Sequence, residues 1–155
     1  MKKSEQPFEP PTPAQPYVLS EIQELWYALQ AKNWLSLAVV PSRSGSGARE
    51  LARALAEVGT ALRGERVLLF EAERSDSESV VKHMVQIRNY TRDNARMVIA
   101  LDAPVENPTA ISLIRAADAA LLAVERGASD LRNARKTIEL VGPDRLLGSV
   151  LVQSR

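Results

Sequence analysis

The sequence predicts an α/β protein with a doubly wound, mainly parallel sheet of five strands and helices on both faces. Short apolar runs rich in β-branched residues recur along the chain, and helical patterns separate them. The runs lack polar alternation, which is typical of strands buried on both faces, and regular strand–helix alternation favours a parallel sheet. The five predicted strands are LSLAVVP at 35–41, RVLLFEA at 66–72, RMVIALD at 96–102, AALLAVE at 119–125 and GSVLVQ at 148–153.

An amphipathic helix is predicted ahead of the first strand. Ile22, Leu25, Trp26 and Leu29 recur there at helical spacing, and Ser20 is the expected cap. The later helices show the same periodicity together with start and stop signals. The second predicted helix covers residues 50–63 and is stopped by Gly64, and the third begins with a capping box of Ser75 and Glu78. The fourth is begun by Asn107 and Pro108. The fifth is capped by Ser129 and stopped by Gly142 and Pro143.

The first 16 residues differ in composition from the rest of the chain. Residues 1–16 carry five of the nine prolines, so we expect a proline-rich disordered tail. A docking peptide for a partner is the alternative, because polyproline segments are common ligands. Residues 17–155 then form one α/β domain, as the length of the chain suggests.

Composition excludes several classes of function. Twenty basic and 19 acidic residues give a net charge of +1, and no long basic run occurs, which argues against nucleic acid as a partner. With no Cys and one His, there can be no disulfide framework, no thiolate zinc site and no Cys nucleophile. We assign no metal ligands. No apolar run approaches the roughly 20 residues of a membrane span, and the start MKKSEQPFEPP lacks the apolar core of a signal peptide, so we expect a cytoplasmic protein.

The segment PSRSGSGARELARAL at 41–55 lies where a strand, a loop and a helix would form an anion site. A complete phosphate-binding loop ends in Gly-Lys-Ser/Thr, whose lysine reaches the outer phosphates and whose hydroxyl holds magnesium. This chain has no lysine there. The candidate residues of the degenerate loop are Arg43, Ser44, Gly45, Ser46, Gly47, Ala48 and Arg49.

Five stretches resemble, in order, the motifs of a known family: VVPSRSGSG, RVLLFEAE, MVIALDAP, AADAALLAVERG and RLLGSVLVQ. They are similar to the phosphate loop, second acidic motif, Walker B strand and C-terminal strands of bacterial tyrosine autokinases of capsule and exopolysaccharide biosynthesis. These kinases belong to the MinD/ParA-like class of P-loop proteins. The resemblance covers roughly residues 18–153 and implies a trimmed P-loop fold, because the second and third motifs are closer together here than in the family.

The resemblance also assigns positions within the loop. It places Ala48 at the family's lysine and Arg49 at its magnesium-binding hydroxyl. Arg43 matches an early lysine that in related MinD-type loops reaches across a dimer, which would let it meet a phosphate, but the default interpretation is a solvated loop arginine. A lost charge-assisted hydrogen bond of roughly 1.5–3 kcal/mol would by itself weaken phosphate binding by roughly 10- to 100-fold.

The acidic motifs are only partly kept. Glu71 and Glu73 stand where the family has the aspartates of its second acidic motif. Asp102 matches the Walker B aspartate, which lies near magnesium in the family, but without the other ligands the default interpretation is a local cap of the following turn. The family's C-terminal tyrosine cluster has no counterpart in the final residues LVQSR, so we expect no self-phosphorylation on such a tail.

Three other features have ordinary explanations. Trp26 and Trp34 flank the entry to the first strand, where core packing is the default and a partner surface the alternative. The lone histidine, His83, fits a surface or half-buried position in a helix. A basic cluster on and before the last predicted helix fits a solvated face, with an acidic partner or a membrane surface as the sharper alternatives; its members are Arg126, Arg132, Arg135 and Lys136.

Selective loss of the lysine, hydroxyl and tyrosines predicts a pseudo-ATPase without catalytic residues, acting as a scaffold or regulatory subunit. We expect no required cofactor, although backbone amides at the helix start still allow weak binding of ATP or ADP with magnesium. By resemblance, its partner is an exopolysaccharide co-polymerase or another membrane-complex component, which would place it at the inner membrane, and self-association is expected through the loop face. The alternative is a divergent active ATPase or kinase, with Arg43 or Arg49 replacing the lysine and Glu71 or Asp102 holding the metal.

Overall fold

The structure, a computed structural model, describes residues 16–43, 47–63, 66–91, 95–125 and 131–152. Strands and helices alternate along these residues, which confirms the predicted α/β class. The strands are β1 (Ser36–Pro41), β2 (Val67–Glu71), β3 (Arg96–Ala100), β4 (Ala119–Glu125) and β5 (Leu146–Val152). The helices are α1 (Pro16–Gln30), α2 (Ala48–Arg63), α3 (Ser77–Thr91), α4 (Thr109–Ala116) and α5 (Leu131–Val141), with a short 3₁₀ turn at Pro143–Arg145.

The five strands form one sheet in the order β2-β3-β1-β4-β5, and every neighbouring pair is parallel. The central strand β1 pairs on both sides, with Leu37 opposite Val98 of β3 and Ala119 of β4. Because the strands are parallel, all their carboxyl ends lie at one edge of the sheet. We call this the carboxyl edge, and the opposite edge the amino edge.

Two apolar cores lie on opposite faces of the sheet, as the doubly wound prediction requires. Successive side chains of β1 point to opposite faces, so Leu37 and Val39 belong to one core and Ala38 and Val40 to the other. Helices α1 and α2 pack on the first face, and α3, α4 and α5 on the second. All six residues of β1 are buried, which explains its unbroken apolar sequence.

Three of the predicted helix starts are wrong. Helix α2 begins at Ala48, two residues before the predicted start at residue 50. Helix α1 begins at Pro16 and not after Ser20; proline suits a first turn because its fixed φ is helical and its missing N–H would have no partner. Helix α3 is capped by Asp76 and not by Ser75. The Asp76 carboxylate accepts hydrogen bonds from the backbone N–H groups of Glu78 (3.1 Å) and Ser79 (2.9 Å), and these bonds lower the pKa of Asp76.

Two other predicted helix boundaries agree with the structure, whereas β5 begins at Leu146, two residues before its predicted start. Asn107 accepts a hydrogen bond from the N–H of Thr109 at the start of α4 (3.3 Å), and Gly142, with φ of 94°, follows the last residue of α5. Residues 1–15 of the predicted tail, the stop at Gly64 and the cap at Ser129 lie outside the described residues. Within the described parts of the chain, no helix combines the length and the apolar character that crossing a membrane requires.

The amino edge contains an aromatic cluster. Trp26 of α1 is fully buried and meets Trp34 edge to face, with ring centroids 6.0 Å apart. The Arg96 guanidinium lies 4.4 Å from the Trp34 ring centroid, a cation–π contact. Trp26 also packs on Gly59 of α2, where an added Cβ would lie 2.7–2.9 Å from three ring atoms. These contacts explain why both tryptophans are core residues.

Beside this cluster, the Asp118 carboxylate holds the entry to β1. Its Oδ2 accepts hydrogen bonds from the backbone N–H groups of Leu35 (2.7 Å) and Ser36 (3.2 Å). In return, the N–H of Asp118 donates to the Ser36 hydroxyl at 2.8 Å. This pair therefore fixes the start of β1 against the start of β4.

Candidate functional site

The charged residues that follow the strands gather at the carboxyl edge, where doubly wound sheets bind their ligands. Arg43 follows β1, Glu71 ends β2 and Glu73 lies two residues beyond it. Asp102 follows β3, and Glu125 is the last residue of β4. The edge therefore brings together four of the residues predicted from sequence and one, Glu125, that was not predicted.

Helix α2 begins at the end of the degenerate loop. Gly47 has a φ of 84°, which favours glycine, and its carbonyl accepts the N–H of Leu51 at 3.0 Å. The next side chain, Ala48, is 5% exposed and belongs to the apolar core on the α1–α2 face. The position that the resemblance assigns to the lysine is thus packed with a methyl group. Ser44, Gly45 and Ser46 lie outside the described residues.

The Arg49 guanidinium lies between the two glutamates that follow β2. Its Nη2 is 3.4 Å from Glu71 Oε2, and its Nε is 3.6 Å from Glu73 Oε1. Arg53, one turn further along α2, approaches Glu71 Oε2 at 3.3 Å. We call these four residues the α2–β2 ion network.

The α2–β2 ion network contributes little to stability, and its main effect is on the charge at the carboxyl edge. The side chains of Arg49 and Arg53 are about half exposed (52% and 54%), so each pair contributes about 0–1 kcal/mol. Burial raises the pKa of Glu73, and the negative charges of Glu71 and Asp102 add to the rise, whereas Arg49 lowers the pKa. Arg49 thus favours the ionised form of Glu73.

Arg43 has a partner on the neighbouring strand. Its Nε lies 3.5 Å from Oε1 of Glu125, whose side chain is only 12% exposed. Glu125 Oε1 forms no hydrogen bond within the described residues, so Arg43 provides the nearby positive charge that this oxygen needs. The arginine proposed to meet a phosphate is therefore placed against a carboxylate.

Asp102 connects two loops of the carboxyl edge. Its Oδ2 accepts hydrogen bonds from the backbone N–H of Arg74 (2.7 Å) and from Nδ2 of Asn107 (2.8 Å). Arg74 has a φ of 63°, an unfavourable conformation for a residue with a side chain. The Asp102 carboxylate thus stabilises a turn 28 residues earlier in the chain, in addition to its contact with its own loop.

Next to the turn at Arg74, Ser75 and His83 form a second hydrogen-bonded group. The Ser75 hydroxyl donates to the carbonyl of Ala72 at 2.7 Å and lies 2.9 Å from His83 Nδ1. Because that hydroxyl has one proton, His83 Nδ1 carries a hydrogen and donates to Ser75 Oγ. His83 also meets Phe70 edge to face. The lone histidine is therefore half-buried and hydrogen-bonded, as one of the sequence-based alternatives predicted.

The described residues do not fit a magnesium–nucleotide complex. Ala48 provides no charge, Arg49 provides no hydroxyl, and both glutamates of the second acidic motif already face a guanidinium. Across residues 16–43, 47–63, 66–91, 95–125 and 131–152, no cluster of three or more His, Cys, Asp or Glu side chains is suited to a metal ion. We therefore derive no phosphoryl-transfer step for this site.

No protein-family model matches the chain, and no curated protein matches it in sequence. Solved structures do match. The chimerical protein CapA2B2 has a TM-score of 0.74 at 12% identity, over 91% of this chain and 86% of that one. The kinase domain of VpsO has a TM-score of 0.71 at 12% identity, over 90% and 96%. The kinase domain of the Escherichia coli tyrosine kinase ETK has a TM-score of 0.69 at 12% identity, over 88% and 76%.

The fold is that of these kinase domains. The likeness covers 88–91% of this chain and 76–96% of the matched chains. At 12–16% identity it concerns the fold, because a shared fold does not specify the chemistry of its site.

Three residues of the site, Glu125, Arg53 and Arg74, were not predicted from the sequence. A signal existed for two of them. Glu125 closes an apolar strand run as Glu71 does, and Arg53 lies four residues after Arg49, on the same side of α2. Nothing in the sequence indicates that Arg74 adopts a positive φ, since neither glycine nor asparagine stands there.

Proposed function

We propose that the protein is a catalytically inactive P-loop-like scaffold or regulatory subunit of an exopolysaccharide synthesis or export system. The observation that supports this most directly is the position of Arg49 between Glu71 and Glu73. A divalent cation at these carboxylates would lie beside two guanidinium groups and be repelled by them. The chain itself thus supplies the positive charge at its acidic pair.

The proposed partner is an exopolysaccharide co-polymerase or another component of a membrane complex. Supporting it is the shared fold with kinase domains such as VpsO, ETK and BceF. In this proposal the protein works on the cytoplasmic side of the inner membrane, held there by its partner, and self-associates through the carboxyl edge. Nucleic acid is not among the proposed partners, because the net charge is only +1.

Isothermal titration calorimetry with ATP and ADP in the presence of magnesium tests the inactive state. We expect no binding heat at millimolar nucleotide from the natural protein. Micromolar, magnesium-dependent binding would contradict the proposal and favour a divergent ATPase or kinase, in which Arg43 leaves Glu125 to meet phosphate and Asp102 holds the metal.

The same titration is run on the double substitution Ala48→Lys, Arg49→Ser, which introduces the lysine and the hydroxyl of a complete phosphate-binding loop. Because Ala48 is buried, the variant Ala48→Met, Arg49→Ser controls for side-chain size without charge, and thermal melts verify that each variant folds. Nucleotide binding that appears only with the lysine would mean that the pocket persists and that the natural residues prevent its use.

The role in polysaccharide production needs a separate test in the source organism. A deletion strain should lose exopolysaccharide and regain it with the natural gene. We expect Arg43→Ala and Asp102→Asn to restore production as well, since a scaffold needs no phosphate contact. Loss of production in both variants, with normal protein levels and an unchanged oligomeric state, would instead favour the active-enzyme alternative.

A further inference from the structure

A groove lies between the loop that follows β3 and helix α5, on the sheet face opposite α1 and α2. It has a cavity volume of about 480 Å³, within the range of roughly 300–1,000 Å³ of small-ligand pockets. We call its apolar lining residues the floor; they are Pro104, Val105, Pro108, Ile111 and Leu140. We call the exposed lining residues Arg132 and Lys136 of α5 the rim. We call the whole cavity the α4–α5 groove.

The rim is positively charged, and its side chains are exposed and form no ion pair within the described residues. Arg132 and Lys136 are exposed, as is Arg135 beside them, and no ion pair within the described residues involves any of the three. Glu139 is the only acidic residue of α5. Arg132 lies in the first turn of α5, where the helix dipole adds positive potential, and Arg135 and Lys136 follow in the second turn.

An apolar floor under a cationic rim matches one kind of occupant, a chain segment that carries both apolar and acidic side chains. The recess receives an apolar side chain, and carboxylates on either side of it reach Arg132 and Lys136. A membrane surface fits less well, since peripheral binding requires apolar side chains that protrude into the lipid. Here the apolar residues line a concavity. The exception is Leu131 at the start of α5, which is 73% exposed and protrudes, so vesicle binding is part of the test.

We propose that the α4–α5 groove is a docking site for an acidic segment of a partner protein, anchored by an apolar side chain in the recess. The proposal specifies the chemistry of the partner for the scaffold function proposed above, and to that extent rests on it. Peptide binding here requires neither ATP nor magnesium. The two proposals can therefore fail separately: nucleotide binding contradicts the first, and an unoccupied groove contradicts the second.

The experiment is a selection of peptides from a random display library against the purified protein, followed by fluorescence anisotropy of the tightest peptide. We expect the selected peptides to carry Asp or Glu around a large apolar residue. The double substitution Arg132→Glu, Lys136→Glu should weaken binding by about tenfold or more, and rising salt should weaken it too. Lys82→Glu changes an exposed lysine of α3 outside the groove and should alter affinity by less than about twofold.

Leu140→Ser tests the apolar floor independently of charge. It should weaken binding while leaving the salt dependence unchanged, and thermal melts verify that it folds; Val105→Ser provides a second floor variant if it does not. Selected peptides without acidic residues, or binding unchanged by charge reversal, would overturn the proposal. So would a protein that yields no peptide but sediments with phosphatidylglycerol vesicles, since charge-sensitive vesicle binding identifies a membrane surface.

Discussion

The amino and carboxyl edges of the sheet use charge in different ways. At the amino edge, Asp118 accepts backbone hydrogen bonds and Arg96 lies over an indole ring, next to the fully buried Trp26. At the carboxyl edge, the guanidinium groups of Arg49 and Arg53 meet carboxylates in about half-exposed positions. The charged groups of the amino edge lie against buried aromatic side chains, whereas those of the carboxyl edge are accessible to water.

The difference in exposure implies a difference in energy. Removing a buried aromatic side chain costs about 3–5 kcal/mol, whereas an exposed ion pair contributes about 0–1 kcal/mol. Stability therefore depends mainly on the amino edge and the two cores, while the carboxyl edge determines which charges a ligand or partner meets. Substitutions at the two edges should separate these roles.

The largest effect is expected for Trp26→Ala at the amino edge. It should lower the free energy of unfolding by about 4 kcal/mol in urea denaturation, because it empties a fully buried site next to Trp34 and Gly59. The indole N–H of Trp26 has no hydrogen-bond partner in the described residues, so the loss is one of packing. Tyr27→Ala, at a neighbouring 58%-exposed position, should cost less than about 1 kcal/mol. Similar costs for both would mean that α1 contributes little to the core.

Asp102→Ala should have the largest effect at the carboxyl edge, about 2 kcal/mol by the same measurement. It removes two hydrogen bonds to a carboxylate, one of which holds the positive φ of Arg74. Arg74→Gly in the Asp102→Ala background should recover about 1 kcal/mol, because glycine adopts that conformation without strain. No recovery would mean that the turn relaxes without Asp102, and that the carboxyl edge is less tightly held than the hydrogen bonds indicate.

The sign of the stability change in Gly59→Ala tests how rigidly the amino edge is packed. Helix propensity favours alanine by about 1 kcal/mol, but the added Cβ would lie within 3 Å of the Trp26 ring, and overpacking typically costs about 1–3 kcal/mol. We expect net destabilisation by about 1 kcal/mol. In a Trp26→Ala background the same substitution should stabilise, since the ring is gone. A stabilising effect in the natural protein would show that Trp26 can shift and that the amino edge is not rigidly packed.

The smallest change in stability is expected for Arg49→Gln, and its effect should appear in a pKa. Loss of the guanidinium should raise the pKa of Glu73 further, as measured by carbon-detected NMR titration of its carboxyl group. Arg53→Gln, whose pair is with Glu71, should shift it less. For a carboxyl with a raised folded pKa, protonation favours the folded state at low pH, and this contribution disappears as the pH rises through that pKa. Stability of Arg49→Gln should therefore decline over a window extending to higher pH than in the natural protein.

Most of the fold could be predicted from sequence, because buried parallel strands leave an unbroken apolar signature. The run AALLAVE matched β4 at both ends, and RMVIALD extended only two residues beyond β3. The errors occurred at helix starts, where neighbouring polar residues compete as caps. Ser75 and Asp76 are adjacent and both are good cap residues, so the choice depended on Ser75 being buried against Ala72 and His83.

Less of the candidate site could be predicted. The residues at the ends of the strands were identified, but not their partners, because the partners depend on the order of the strands. Arg49 meets Glu71 because α2 crosses from β1 to the edge strand β2, and Asp102 meets Arg74 because β2 and β3 are neighbours. Neither contact has a local signal in the sequence.

The position of Arg49 has a consequence for regulation. A metal ion arrives by diffusion, dissociates and can be removed by a chelator, whereas a guanidinium attached to α2 remains at a fixed, high effective concentration beside Glu71 and Glu73. Switch proteins of the P-loop class change state when the γ-phosphate and its magnesium are gained or lost. If the proposed inactive state is correct, a cation carried by the chain itself would make the carboxyl edge insensitive to magnesium supply and chelation, and a partner that binds there would meet one constant surface.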